Sequence, residues 1–174
     1  MAKQNVKNEG DERLESIETT LTRAEQFVID NQKAIIVVLA IMVVAVLAFF
    51  GVKKYYLEPR EKDAQAAIYH AEQYFENDNF ATALNGDGNY LGFVDVINEF
   101  GGTKTANLAK YYAGVSYLNT GDFNKAVEYL KSYKGKDVLV SSLALGALAD
   151  AQMELGNVAE AAKAYENAAA KSAN

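Results

Sequence analysis

The pattern of apolar and polar positions divides the chain into three stretches. Residues 1–33 are polar and charged, residues 34–52 carry no charge, and residues 57–174 alternate apolar and polar positions at helical spacing. The uncharged stretch is the clearest signal. Ile35 to Val52 reads IIVVLAIMVVAVLAFFGV, which as a helix spans roughly 27 Å, close to a hydrocarbon core of about 30 Å. Lys33 bounds it on one side. On the other stand Lys53 and Lys54, whose stems can reach out of the apolar layer, and Tyr55 and Tyr56, which favour the interface. A cleaved signal peptide would begin within the first few residues, carry a shorter apolar run and end in a small-residue cleavage site. None of these holds, so a transmembrane helix over residues 34–56 is predicted.

The polar stretch has its own period. Residues 1–10 lack an apolar rhythm. Leu14, Ile17, Leu21, Ala24 and Val28 recur at spacings of three and four, which predicts an amphipathic helix leading toward the span. Beyond the span, Pro59 is the sole proline and suits the first turn of a helix, with Glu61 and Asp63 at its positive end. A short Lys53-to-Asp63 linker is expected, holding the C-terminal domain close to the bilayer. The stretch LNGDGNYLG then breaks the helical rhythm. Asn85, Asp87 and Asn89 alternate like the start of a calcium loop. The sixth position should be glycine and is Tyr90, and the twelfth should be glutamate and is Val96, so a plain turn is expected.

Residues 111–130 overlay residues 146–165. Gly114 falls on Ala149, Gly121 on Gly156, Phe123 on Val158, Ala126 on Ala161 and Leu130 on Tyr165, each 35 residues apart. A degenerate third copy precedes them, with Ala71, Phe80 and Ala83 standing 43 residues before Gly114, Phe123 and Ala126. The extra residues fall in the glycine-rich stretch, so the second helix of that unit should be interrupted and resume at GFVDVINEF. Gly101-Gly102 should end it, and Thr103 or Thr105 should cap the next helix. Small residues at matched positions let paired helices approach, and the glycine turns the chain between them.

This pattern resembles the tetratricopeptide repeat over about residues 64–170, without the usual tryptophan and proline. The expected fold is all-α: one N-terminal transmembrane helix, then a tetratricopeptide-type helical-hairpin solenoid over 57–174. The resemblance implies a protein-binding groove along the first helix of each pair. It places Ile68, Glu72 and Phe75 there in the first unit, and Leu108, Tyr111, Val115, Leu118 and Asn119 in the second. Leu143, Asp150 and Met153 belong to the third. The lysines, arginines and asparagines that grip acidic tails in some members are absent. The groove is expected to take an apolar segment, although apolar stripes of this kind also form cores. The last helix, AEAAKAYENAAA, presents a small-residue surface that does not look like a polar terminal cap, and either a partner or further residues of the chain are expected to cover it.

Charge and composition narrow the function. Residues 57–174 carry a net charge of −6, which disfavours nucleic acid and anionic lipid surfaces. There is no cysteine and one histidine, which removes disulfides, thiol nucleophiles and multi-histidine metal sites. His70 has no partner for a dyad, and Gly102-Thr103-Lys104-Thr105 lacks the GK pair and second glycine of a phosphate loop. No catalytic residue, cofactor or metal is expected.

The layout of tail, single span and small repeat domain is similar to that of the YfgM family, as is the lead-in Phe27-Val28-Ile29-Asp30-Asn31-Gln32-Lys33. The resemblance implies a non-enzymatic chaperone adaptor in the bacterial inner membrane, ancillary to the SecYEG translocon. Its partners would be a PpiD-like periplasmic chaperone and nascent or unfolded polypeptide, met on the periplasmic side. A structural scaffold of another envelope complex is the alternative. The basic flank of Lys53, Lys54, Arg60 and Lys62 exceeds Arg23 and Lys33, which by the positive-inside rule points to a cytoplasmic domain instead.

Overall fold

A computed structural model of the chain describes residues 26–172. Leu14, Ile17, Leu21 and Ala24 of the expected amphipathic helix lie outside them. Among the described residues the structure is helical and contains no strand. The chain divides into two units, Met1–Gly51 and Val52–Asn174.

In the first unit, residues 26–30 are helical and Asn31 interrupts them, its Nδ2 donating to the Phe27 carbonyl at 2.9 Å. Helix α1 (Gln32–Val52) comes next with 21 residues, about 32 Å of rise. None of its residues is buried, and it is long and apolar enough to cross a membrane. Its valines and isoleucines are ordinarily better strand formers. A segment with no neighbouring strand can satisfy its own N–H and C=O groups only as a helix.

The second unit starts with a π-helical turn, Lys53–Leu57, and passes into α2 (Glu58–Glu76). The expected linker is therefore helical. Leu57 keeps helical φ and ψ, so α2 continues the π-helical turn without a free N-terminus, and Pro59 follows directly on that wider turn. α2 buries Ala64, Ile68 and Ala71, one face at spacings of four and three. Then come α3 (Phe80–Asn85), α4 (Phe93–Glu99), α5 (Lys104–Asn119), α6 (Phe123–Ser132), α7 (Val138–Glu154) and α8 (Val158–Ser172).

The interruption between α3 and α4 lies where the glycine-rich stretch predicts it. The loop closes backbone on backbone. A Cβ on Gly92 would stand 2.2 Å from the Leu84 carbonyl oxygen, so only glycine lets the chain return there. Asp87 pins the loop: its Oδ1 accepts the N–H groups of Asn89 and Tyr90, and its Oδ2 accepts the Tyr74 hydroxyl at 2.8 Å.

Three turns share one geometry. Asn79, Asp122 and Asn157 donate their N–H groups to the carbonyls of Tyr74, Tyr117 and Gln152, each at 2.9 Å. The residue before each has positive φ: Asp78 at 58°, Gly121 at 81° and Gly156 at 77°. This six-to-one bond with a left-handed residue closes a helix end, and here a new helix starts at once with Phe80, Phe123 or Val158. Ala83, Ala126 and Ala161, one turn further on, are fully buried. Each pair thus turns sharply and packs through a small residue.

The core lies in two clusters. Ile68, Leu84, Phe93 and Val96 gather with Ala109 and Ala113. Ala126, Leu130, Ala144 and Ala151 form the second, and Tyr117 packs against both. At the α5–α6 crossing a Cβ on Gly114 would stand 2.5 Å from Leu130 Cγ, so the glycine sets how close the two helices come.

Candidate partner-binding surfaces

Two grooves open on either side of Leu108. The first, about 470 Å³, lies between α2 and α5 and is lined by Glu61, Gln65, Ile68, Glu72, Lys104 and Leu108. The second, about 640 Å³, is bounded by Lys104, Asn107 and Leu108 of α5 and by Tyr133, Lys134 and Lys136 of the loop after α6.

The floor of both is the N-terminus of α5. Thr103 caps it, its hydroxyl accepting the Ala106 N–H at 3.0 Å, while Thr105 serves a different bond. Glu61 reaches across from α2. Its carboxylate accepts the Lys104 N–H at 2.6 Å, the Thr105 N–H at 3.2 Å and the Thr105 hydroxyl at 2.8 Å. Burial pushes this carboxyl up, but the bonds from Thr105, Lys104 and Gln65 outweigh it and hold Glu61 below the usual carboxylate range. The positive end of α5 is therefore already satisfied by an internal anion, as a phosphate would satisfy it. Beside it, the Arg60 guanidinium donates to the Glu99 carbonyl and stands 5.2 Å from the Tyr56 ring centroid.

The second groove has a built wall. Asn107 makes two bonds with Lys134, donating to its carbonyl at 3.1 Å and accepting its N–H at 3.0 Å. The loop stays against α5, and Lys104, Lys134 and Lys136 surround it. Asp137 then caps α7 by accepting the Val140 N–H at 2.9 Å.

The residues expected to form one apolar groove divide into three situations. Ile68 is core, and only its edge meets Leu108 in the first groove. Phe75 stands edge-on to Phe80, Phe93 and Tyr112. Tyr111, Val115 and Leu118 pack against the second cluster, and burial raises the Tyr111 phenol. Leu143 and Met153 are exposed and line neither groove. Of the polar neighbours, Glu72 is pushed up by burial and by Glu76, Asn119 donates to the Val115 carbonyl, and Asp150 accepts the Tyr165 hydroxyl.

Glu61 was expected to serve the start of its own helix; that it reaches α5, and that Asn107 pairs with Lys134, had no signal in the sequence, because each contact joins residues far apart in the chain. His70 stacks on Tyr90 with ring centroids 3.4 Å apart and contacts Tyr69 edge-on. Among the described residues no three His, Cys, Asp or Glu side chains gather as a metal site. Compared with family models, curated proteins and solved structures, the chain matches none.

Proposed function

We propose that this chain is a membrane-anchored, non-enzymatic adaptor of tetratricopeptide type, working beside the SecYEG translocon in the bacterial inner membrane. In this reading α1 is the anchor, and the repeat domain faces the periplasm. There it meets a PpiD-like chaperone and emerging polypeptide through the grooves beside Leu108. The observation that carries the reading is the helix pair recurring three times with one turn geometry, in a chain whose apolar α1 has no buried residue. Repeats of this kind stack into extended surfaces that hold peptide segments. The polar groups at the groove floor are already paired with one another, which suits binding more than turnover.

A photo-reactive amino acid at Leu108, in the full chain in native membranes, tests the partner. Crosslinks to a Sec channel subunit, a membrane-anchored prolyl isomerase or a secreted chain in transit are expected. A single stoichiometric complex without the channel would replace this reading with that of an envelope scaffold. The side of the membrane is read by adding protease to spheroplasts. Residues 57–174 should be digested from outside, and their protection would place the domain in the cytoplasm, as Lys53, Lys54, Arg60 and Lys62 favour.

A further inference from the structure

We propose that a pocket between α6, α7 and the loop joining them binds a small carboxylate with a short branched apolar chain, held by the hydroxyls of Ser141 and Tyr133. The proposal goes beyond the adaptor reading and does not rest on it. None of the pocket's lining residues belongs to the expected protein-binding groove.

The observation behind it is a hydroxyl without a partner. Ser141, in the first turn of α7, is 7% exposed, and its buried Oγ makes no hydrogen bond. Buried hydroxyls are ordinarily paired. Thr103 donates to the Phe100 carbonyl and Thr105 to Glu61. Ser142, the next residue, turns back to the Val138 carbonyl at 2.7 Å, the usual choice of a helical serine. Ser141 does not take the equivalent bond. Ser116 Oγ is also unpaired, but Ser116 is sealed at 0% exposure, whereas Ser141 lines a cavity.

The cavity holds about 210 Å³, room for about seven waters at roughly 30 Å³ each. Leu130 of α6 and Ala144 and Leu145 of α7 give it apolar walls. The loop supplies Tyr133, whose ring rests on Tyr111 with centroids 6.0 Å apart. Burial raises the Tyr133 phenol, and the Ser141 hydroxyl stands near enough to act against that without the geometry of a hydrogen bond. The two hydroxyls therefore share one part of the cavity. A Cβ on Gly135 would collide with the Tyr133 hydroxyl, so the glycine makes room for it.

The lining selects the ligand. Lys134 and Lys171 complete it, and no aspartate or glutamate takes part. Among the described residues neither lysine has an ion-pair partner. An anion is therefore attracted and an amine repelled. Two neighbouring hydroxyl donors match the two oxygens of one carboxylate, and hydrogen bonds to an ion are the stronger kind. The apolar walls call for a hydrocarbon chain beside that head group, which inorganic phosphate lacks.

The test titrates isovalerate into the full chain in nanodiscs, with empty nanodiscs as the blank, and follows binding by saturation-transfer NMR. Saturable binding is expected. Isovaleramide and isoamylamine, which lack the negative charge, and inorganic phosphate, which lacks the apolar chain, should not bind. Ser141→Ala and Tyr133→Phe should each weaken binding about tenfold. Without the acid, Ser141→Ala should raise the melting temperature, because it removes an unpaired buried hydroxyl. A short peptide with a free C-terminal leucine that competes with isovalerate identifies a chain terminus as the natural source of the carboxylate, and one that does not compete identifies a free acid. Absence of saturable binding, equal binding of the amide or the amine, or binding indifferent to both substitutions overturns the proposal. So does an acid-free Ser141→Ala chain that melts below the parent, because the hydroxyl would then already be satisfied by water.

Discussion

At the scale of single residues, the two glycines inside α5 and α7 carry opposite instructions. Gly114 is buried at a crossing, where a methyl group would meet Leu130 Cγ at 2.5 Å. Gly146 has open space around it. Both cost helix propensity, by about 1 kcal/mol relative to alanine. Gly146→Ala should therefore stabilise the domain by about that amount. Gly114→Ala gains the same propensity but forces α5 and α6 apart, and overpacking of this kind costs about 1–3 kcal/mol. Chemical denaturation monitored by circular dichroism should show the midpoint rising for one variant and falling for the other. Equal shifts would mean that Gly114 does not set the helix spacing.

At the scale of elements, α2 is joined to the rest by more than its apolar face. Glu61 satisfies the N-terminus of α5, and Arg60 satisfies the Glu99 carbonyl at the end of α4. Because the folded Glu61 titrates below its usual 4.5, its contribution is complete above that value and is lost as pH falls through the folded pKa. Asp87, held low by the Tyr74 hydroxyl, acts in the same direction, whereas Glu72, raised by burial, acts in the other. Glu61→Gln keeps the shape but weakens the charged bonds. It should cost about 1 kcal/mol at neutral pH. Its stability should then fall less steeply than that of the parent between about pH 5 and about pH 3. Parallel melting curves across that range would remove Glu61 from the account.

At the scale of the whole molecule, the chain combines a unit with no buried residue in α1 and a unit with a two-cluster core. Such an exposed apolar helix is stable only where something apolar surrounds it. An arginine at its centre costs about 2.5–3.5 kcal/mol on insertion scales. Val44→Arg should shift the full chain out of the carbonate-resistant membrane fraction, while Leu139→Arg, equally exposed but in the second unit, should leave it there. Release of both or of neither would sink the anchoring role of α1.

Local chemistry made much of this legible. The uncharged run, the 35-residue spacing and the small residues at Ala71, Ala126 and Ala161 depend on hydrophobicity and on contacts within one hairpin, so they appear as patterns in a single string. The interruption at LNGDGNYLG was legible for the same reason, since glycine marks where a backbone needs room. The binding surface was less so. Ile68, Phe75, Tyr111 and Leu143 share one apolar character, yet Ile68 is core, Phe75 and Tyr111 pack against it, and Leu143 lies open. A periodic stripe states that a face is apolar and is silent on whether the next helix covers it. Sequence alone determined that there is one spanning-length segment and a family of turning helix pairs. Only the tertiary structure decided that Glu61 reaches the N-terminus of a helix 43 residues away, and that Ile68 is core while Leu143 lies open. Both depend on which elements meet in space, and burial and hydrogen bonding are properties of that meeting.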